Sequence, residues 1–79
     1  MYNIGLCKIC KQGLLEIVKD EETNKIYICC DECEAEWDLP SDALCPENGT
    51  RGKYGKSIYP SLSEINRLNW DVDIFEHHN

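Results

Sequence analysis

Two short apolar stretches dominate the first half of the chain. Gly13-Leu14-Leu15-Glu16-Ile17-Val18-Lys19 and Lys25-Ile26-Tyr27-Ile28-Cys29 are rich in β-branched and aliphatic residues, and the polar run Asp20-Glu21-Glu22-Thr23-Asn24 separates them. Such a pair predicts a β-hairpin closed by a loop. In Glu34-Ala35-Glu36-Trp37-Asp38-Leu39 acidic and apolar positions alternate. That alternation predicts a third strand with Trp37 in the core and Glu34, Glu36 and Asp38 together on the solvent face. Pro40 ends it, because proline removes a ladder donor.

Beyond Pro40 the pattern weakens. Residues 40–60 read as a loop-rich connection with one helical turn in Ser41-Asp42-Ala43-Leu44-Cys45-Pro46, followed by Gly49, Gly52 and Gly55 interleaved with Arg51, Lys53 and Lys56. No helix start follows these glycines directly, so a mobile surface loop with solvated charges is expected, not a phosphate cradle. Ser61-Leu62-Ser63-Glu64 has the form of a capping box, and Leu62, Ile65 and Leu68 predict one apolar side of a helix running to about Asn69. Trp70, Val72 and Ile74 then alternate with acids as an edge strand would, a helical extension being the alternative. The end, Glu76-His77-His78-Asn79, is expected to fray and not to hold a metal.

Seventy-nine residues make a single domain. At this size a packed core rarely supplies more than about 3–5 kcal/mol, so a second source of stability is required. Six cysteines offer one. Cys7-Lys8-Ile9-Cys10 and Cys30-Asp31-Glu32-Cys33 are two C-x-x-C units with nineteen residues between them, the spacing of a tetrathiolate zinc site. No run approaches the roughly 18–20 apolar residues of a membrane span, and the first residues lack the basic flank and apolar stretch of a signal peptide. A cytoplasmic chain is expected, where disulfides are disfavoured. Cys29 with Cys33 would form a rival C-x3-C unit, but strand alternation puts Cys30 on the side of Ile26 and Ile28 and leaves Cys29 as a small buried hydrophobe. Cys45 has no partner in sequence and reads first as a buried filler, then as a reactive thiol or replacement ligand.

With knuckle, hairpin, knuckle and short third strand in place, residues 5–39 resemble a zinc ribbon. The resemblance implies a small α+β metal-stabilised domain: a zinc-ribbon hairpin in a three-stranded antiparallel sheet with a C-terminal helix. Its parts would be the ribbon at 5–39, the connection at 40–60, and a helix with extension at 61–76 packed on the ribbon. One structural Zn2+ would be held by Cys7, Cys10, Cys30 and Cys33. A rubredoxin-like site, with the same cysteines holding iron for electron transfer, is a further alternative.

Charge narrows the partners. Eight Lys and Arg stand against fifteen Asp and Glu, a formal charge of −7 and the wrong sign for holding phosphates. From Asp31 to Glu47 there are seven acids and no base. Neither a Ser/His/Asp constellation, a Walker loop nor H-E-x-x-H is present, and four cysteines would close the metal shell, so no enzymatic activity is expected. The expectation is an acidic protein-binding module. Glu34, Glu36, Asp38 and Asp42 would steer a basic protein partner, and Tyr54 or Trp70 would anchor it. In size and charge the chain is similar to small bacterial zinc-ribbon proteins found among toxin-immunity genes, which implies an immunity protein that blocks a basic, nuclease-type toxin. The alternative is a nucleic-acid or transcription-associated module working through Arg51, Lys53, Lys56 and Tyr54.

Overall fold

The computed structural model describes residues 1–77. Among them lies one antiparallel sheet of six strands, β1 (Tyr2–Leu6), β2 (Leu14–Asp20), β3 (Ile26–Cys30), β4 (Glu36–Trp37), β5 (Ser57–Ile58) and β6 (Phe75–Glu76). The main path runs β4-β3-β2-β1-β6, and β5 pairs with the end of β2. Two short helices, α1 (Pro40–Leu44) and α2 (Leu62–Asn66), complete it, with a 3-10 turn at Pro46–Asn48.

The hairpin β2–β3 is the centre of the sheet. Its loop is closed by Asp20, whose buried carboxylate accepts from the Thr23 amide at 3.1 Å and the Thr23 hydroxyl at 2.7 Å. Asn24 takes the left-handed conformation, φ 63°, which asparagine tolerates better than most residues. Opposed pairs Leu15/Cys30 and Ile17/Ile28 point to one side, and Val18/Tyr27 to the other. The first side is the main core. Leu15, Ile17 and Ile28 are fully buried there with Ala35, Trp37, Ala43 and Ile65. The second side is covered by Tyr54, whose ring stacks on Tyr27 with centroids 4.0 Å apart and planes 19° from parallel, a contact worth about 0.5–1.5 kcal/mol beyond its buried area.

The sheet has twice the strands expected. β1 carries Asn3 and Gly5, which do not read as a strand, yet both have structural work. Gly5 sits at φ 111°, open to glycine alone, in a bulge that lies between the Asn3–Glu16 and Leu6–Leu14 pairs. Asn3 is buried and satisfied: its Oδ1 accepts from the Gly5 amide at 3.0 Å and its Nδ2 donates to the Phe75 carbonyl at 3.4 Å. β5 and β6, two residues each, exist only through distant partners on β2 and β1. The His77 amide donates to the Met1 carbonyl at 2.8 Å, so the chain is still paired where fraying was expected; His78 and Asn79 lie outside the described residues.

Further corrections concern the second half. The third strand shrinks to Glu36–Trp37, and Leu39 is exposed. α2 has its capping box, with the Glu64 amide donating to Ser61 Oγ at 3.2 Å and the Ser61 amide to Glu64 Oε1 at 3.0 Å. It stops at Asn66, and of Leu62, Ile65 and Leu68 only Ile65 is buried. Asn69 at φ 53° turns the chain, after which Trp70, Val72 and Ile74 pack partly buried on the core without forming a strand. A single ion pair, Lys19 Nζ to Glu64 Oε2 at 2.6 Å, ties α2 to β2.

That pair carries a pH signature. Lys19 beside Glu64 holds its carboxyl down at about 2, against an ordinary 4.5. A depressed carboxyl contributes stability that is present above its unfolded value and lost as pH falls toward the folded one. The melting-temperature difference between the native chain and Lys19→Met should therefore be largest near neutral pH and shrink between about pH 4.5 and 2. A difference that does not change with pH would show that the lysine acts through packing alone.

Candidate metal centre

Each C-x-x-C unit lies where a strand ends and the chain turns. Cys7 directly follows β1, and Cys30 is the last residue of β3. The two turns are near copies. The Lys11 amide donates to the Cys7 carbonyl and the Glu34 amide to the Cys30 carbonyl, both at 3.2 Å. Lys11 at φ 57° and Glu34 at φ 63° both take the left-handed conformation. Neither is glycine, so each turn stores roughly 1–2 kcal/mol of backbone strain that something at the site must offset.

Pairing of β2 with β3 brings the two turns face to face. The ligand atoms of Cys7, Cys10, Cys30 and Cys33 all lie within 4.8 Å of one another. Across the gap, Cys7 Sγ is 3.9 Å from Cys33 Sγ, and Cys10 Sγ is 3.6 Å from Cys30 Sγ. A tetrahedral ion with metal–sulfur bonds of about 2.3 Å would set these edges near 3.8 Å. The four cysteines could therefore hold one metal ion. Two of them, Cys7 and Cys30, are buried.

The backbone around the sulfurs is arranged for thiolates. The Gly13 amide points at Cys10 Sγ, and the Glu32 and Cys33 amides at Cys30 Sγ, each at 3.4 Å. These N–H groups orient the sulfurs and offset their negative charge. Amides of Gln12 and Gly13 hold the Cys10 thiol down at about 6, whereas burial pushes Cys30 up to about 12. Backbone amides thus favour the thiolate at Cys10, and burial favours the thiol at Cys30. Arg51 adds a cation next to the second turn, its Nε donating to the Cys33 carbonyl at 2.9 Å.

Cys29 and Cys45 stand apart from the cluster. Cys29 is half-buried opposite Glu16 and Glu36, and burial together with nearby carboxylates pushes its thiol up to about 11. Cys45 is exposed, which overturns its reading as a buried filler: it follows α1 at a rim where only its backbone is engaged, the amide donating to the Asp42 carbonyl at 3.2 Å.

The residues expected to form one acidic face are not brought together as such. Glu36 is 6% exposed. Its Oε1 accepts from the Lys53 amide at 3.0 Å and from the Thr50 hydroxyl at 3.2 Å, while its backbone exchanges both hydrogen bonds with Thr50. Strand alternation failed there because a second segment covers the supposed solvent side. Asp38 accepts from the Tyr54 hydroxyl and faces Lys53 at 3.2 Å and Lys25 at 3.5 Å, and these donors, Tyr54 foremost, hold its carboxyl below the ordinary range. Glu34 and Asp42 remain exposed, and Trp70 is half-buried. The basic loop is not free either. Arg51 donates to the Cys33 carbonyl and Lys53 to Asp38, Lys56 approaches Glu21 at 4.0 Å, and Tyr54 stacks on Tyr27.

One residue of the centre escaped the sequence reading. A Cβ on Gly13 would lie 2.7 Å from Cys30 Sγ, 2.6 Å from Asp31 Oδ1 and 2.9 Å from Glu32 Cβ. The Leu14 amide also donates to that same Asp31 oxygen at 2.8 Å. Its position just after the first C-x-x-C was the available signal.

Substitution separates these roles. Cys30→Ser should abolish stoichiometric binding of a cobalt(II) probe and its thiolate absorption, while Cys29→Ser keeps both; equal loss from the two would undo the four-cysteine assignment. Gly13→Ala should retain a folded sheet by circular dichroism in excess metal but release the ion to a competing chelator at least about tenfold more readily, in the range seen when groups supporting metal ligands are altered.

Comparison of the chain with protein-family models, with curated proteins and with solved structures gives no match, so the reading of this centre rests on its own geometry.

Proposed function

We propose that the chain is a non-enzymatic, zinc-stabilised module that binds a basic protein partner, in the manner of an immunity protein occupying the cationic active site of a nuclease-type toxin. A structural ion is favoured because four converging cysteines leave no open position for water or substrate, and zinc is the ion whose structural sites use this paired C-x-x-C spacing. Zinc binding in small domains is worth on the order of 10–16 kcal/mol, far more than a core of this size supplies. A closed shell holds a fold and does no hydrolysis.

The observation that carries the binding reading is how the charges are sorted. Five of the eight bases contact Asp38, Glu21, Glu64 or the Cys33 carbonyl, whereas Lys8, Lys11 and Arg67 are exposed without an ion pair among the described residues. Glu32, Glu34, Asp42 and Glu47 are exposed and make no ion pair among the described residues. Four thiolates on a divalent ion add two more negative charges. The field that remains at the surface is therefore acidic, which steers basic partners and repels nucleic acid. No helix of the described residues is long and apolar enough to cross a membrane.

Native mass spectrometry of the chain isolated from its own cells tests both halves of the proposal. One zinc together with a basic protein at fixed stoichiometry is the expected result. Iron, or bound nucleic acid in place of a protein, would overturn it. With such a partner in hand, the double charge reversal Glu34→Lys/Asp42→Lys should leave the fold intact and slow association by about tenfold or more at low salt, an effect that fades as salt screens the field. Unchanged association would remove the acidic surface from the mechanism.

A further inference from the structure

The metal end of the molecule displays charges of both signs on neighbouring turns. The first fifteen residues contain Lys8 and Lys11 and no acid, in a chain that has fifteen acids. Both lysines are exposed on the first C-x-x-C turn, together with Leu6 and Ile9 at 52% and 44% exposure. The second turn carries Asp31, Glu32 and Glu34, all exposed. Arg51, whose Nε donates to the Cys33 carbonyl, offsets one of these acids and leaves that turn acidic.

The two sets are close in space and unpaired. Glu32 Cβ lies 2.9 Å from the point that a Cβ on Gly13 would occupy, and Gly13 follows Lys11 by two residues. Yet among the described residues no ion pair joins Lys8 or Lys11 to a carboxylate, and none involves Asp31, Glu32 or Glu34. Five of the other six bases have a partner within the chain, so the two lysines are exceptions. Backbone hydrogen bonds from the Lys11 and Glu34 amides fix both turns, so the charges sit on a shaped frame and not on a loose loop.

Such a patch is complementary to itself. An isologous contact places the same surface on both sides, which requires that surface to carry both signs next to each other. A patch of one sign would select a different molecule. The formal charge of −7 opposes association, but charge on the far side of either copy is screened beyond a Debye length of about 8 Å at physiological salt, whereas facing pairs act inside it.

We infer that the metal end is a self-complementary surface through which two copies of the chain form a two-fold dimer, Lys8 and Lys11 of each facing Glu32 and Glu34 of the other. Ile9, exposed between the lysines in sequence, supplies the apolar part of the contact. The inference stands apart from the proposed basic partner, and its test uses the chain alone.

Sedimentation of the metal-loaded chain over a range of protein concentrations, at low and at high salt, tests it. The expected result is a reversible dimer at low salt that dissociates as salt is raised. Lys8→Glu/Lys11→Glu and Glu32→Lys/Glu34→Lys should each weaken the dimer by about tenfold or more, and an equimolar mixture of the two should restore it, because each variant supplies the sign that the other lacks. Both variants stay acidic overall, so the mixture gains no general attraction. Cobalt(II) binding checks that each variant keeps its site, and the milder Lys8→Gln/Lys11→Gln should show the same direction of loss. A chain that is monomeric at low salt, variants that dimerise like the native chain, or a mixture of cobalt-binding variants that stays monomeric would each overturn the inference. Association that grows beyond a dimer would overturn it too, because a two-fold contact closes on itself.

Discussion

Leu15 opposite Cys30 sets the relation between the two halves of the metal centre. Side chains on a strand alternate with a period of two, so a slip of one residue would send Cys30 to the far face and bring Cys29 in its place. The cysteine doublet makes that error unusually tempting. Two features oppose it: Asp20 fixes the loop at one end of the hairpin, and Asp31 accepts from the Leu14 amide at the other. Gly13 then admits Cys30 Sγ into space that any other residue would fill. The strained turns at Lys11 and Glu34 belong to that register, because only there do the four sulfurs that could hold an ion converge.

Beside this centre, segment 50–56 turns several of its polar groups inward. Segment 50–56 contributes a bridge to Glu36, a ring on Tyr27 and lysine contacts to Asp38, and so acts as a third layer over the sheet. Such a layer lets a very acidic chain bury a glutamate in its sheet: Glu36 is enclosed but receives the Thr50 hydroxyl and the Lys53 amide.

How much of this could be seen in the chain depends on the range of the interactions. The hairpin and the two C-x-x-C units announce themselves because alternation and spacing are local, and the alternation also separated Cys30 from Cys29. Capping at Ser61 and Glu64 was equally legible. What was not legible depends on distant partners. β5 and β6 are two-residue strands without propensity of their own, β1 hides behind a bulge glycine, and Leu62 and Leu68 look like core positions until Ile65 alone reaches the sheet. The acidic face failed for the same reason, since nothing near Glu36 in sequence foretells Thr50 across it. Tyr54, expected as an anchor for a partner, finds its partner within the chain.

All four sulfurs lie in the first 33 residues, together with β1, β2 and β3, whereas Trp37, Ala43 and Ile65, which close the core over them, come later. During synthesis the N-terminal part emerges first. The complete ligand set thus leaves the ribosome before the residues that seal the main core do. An ion captured at that stage would pin the hairpin register before Trp37 packs, so metal loading need not wait for a finished fold to open.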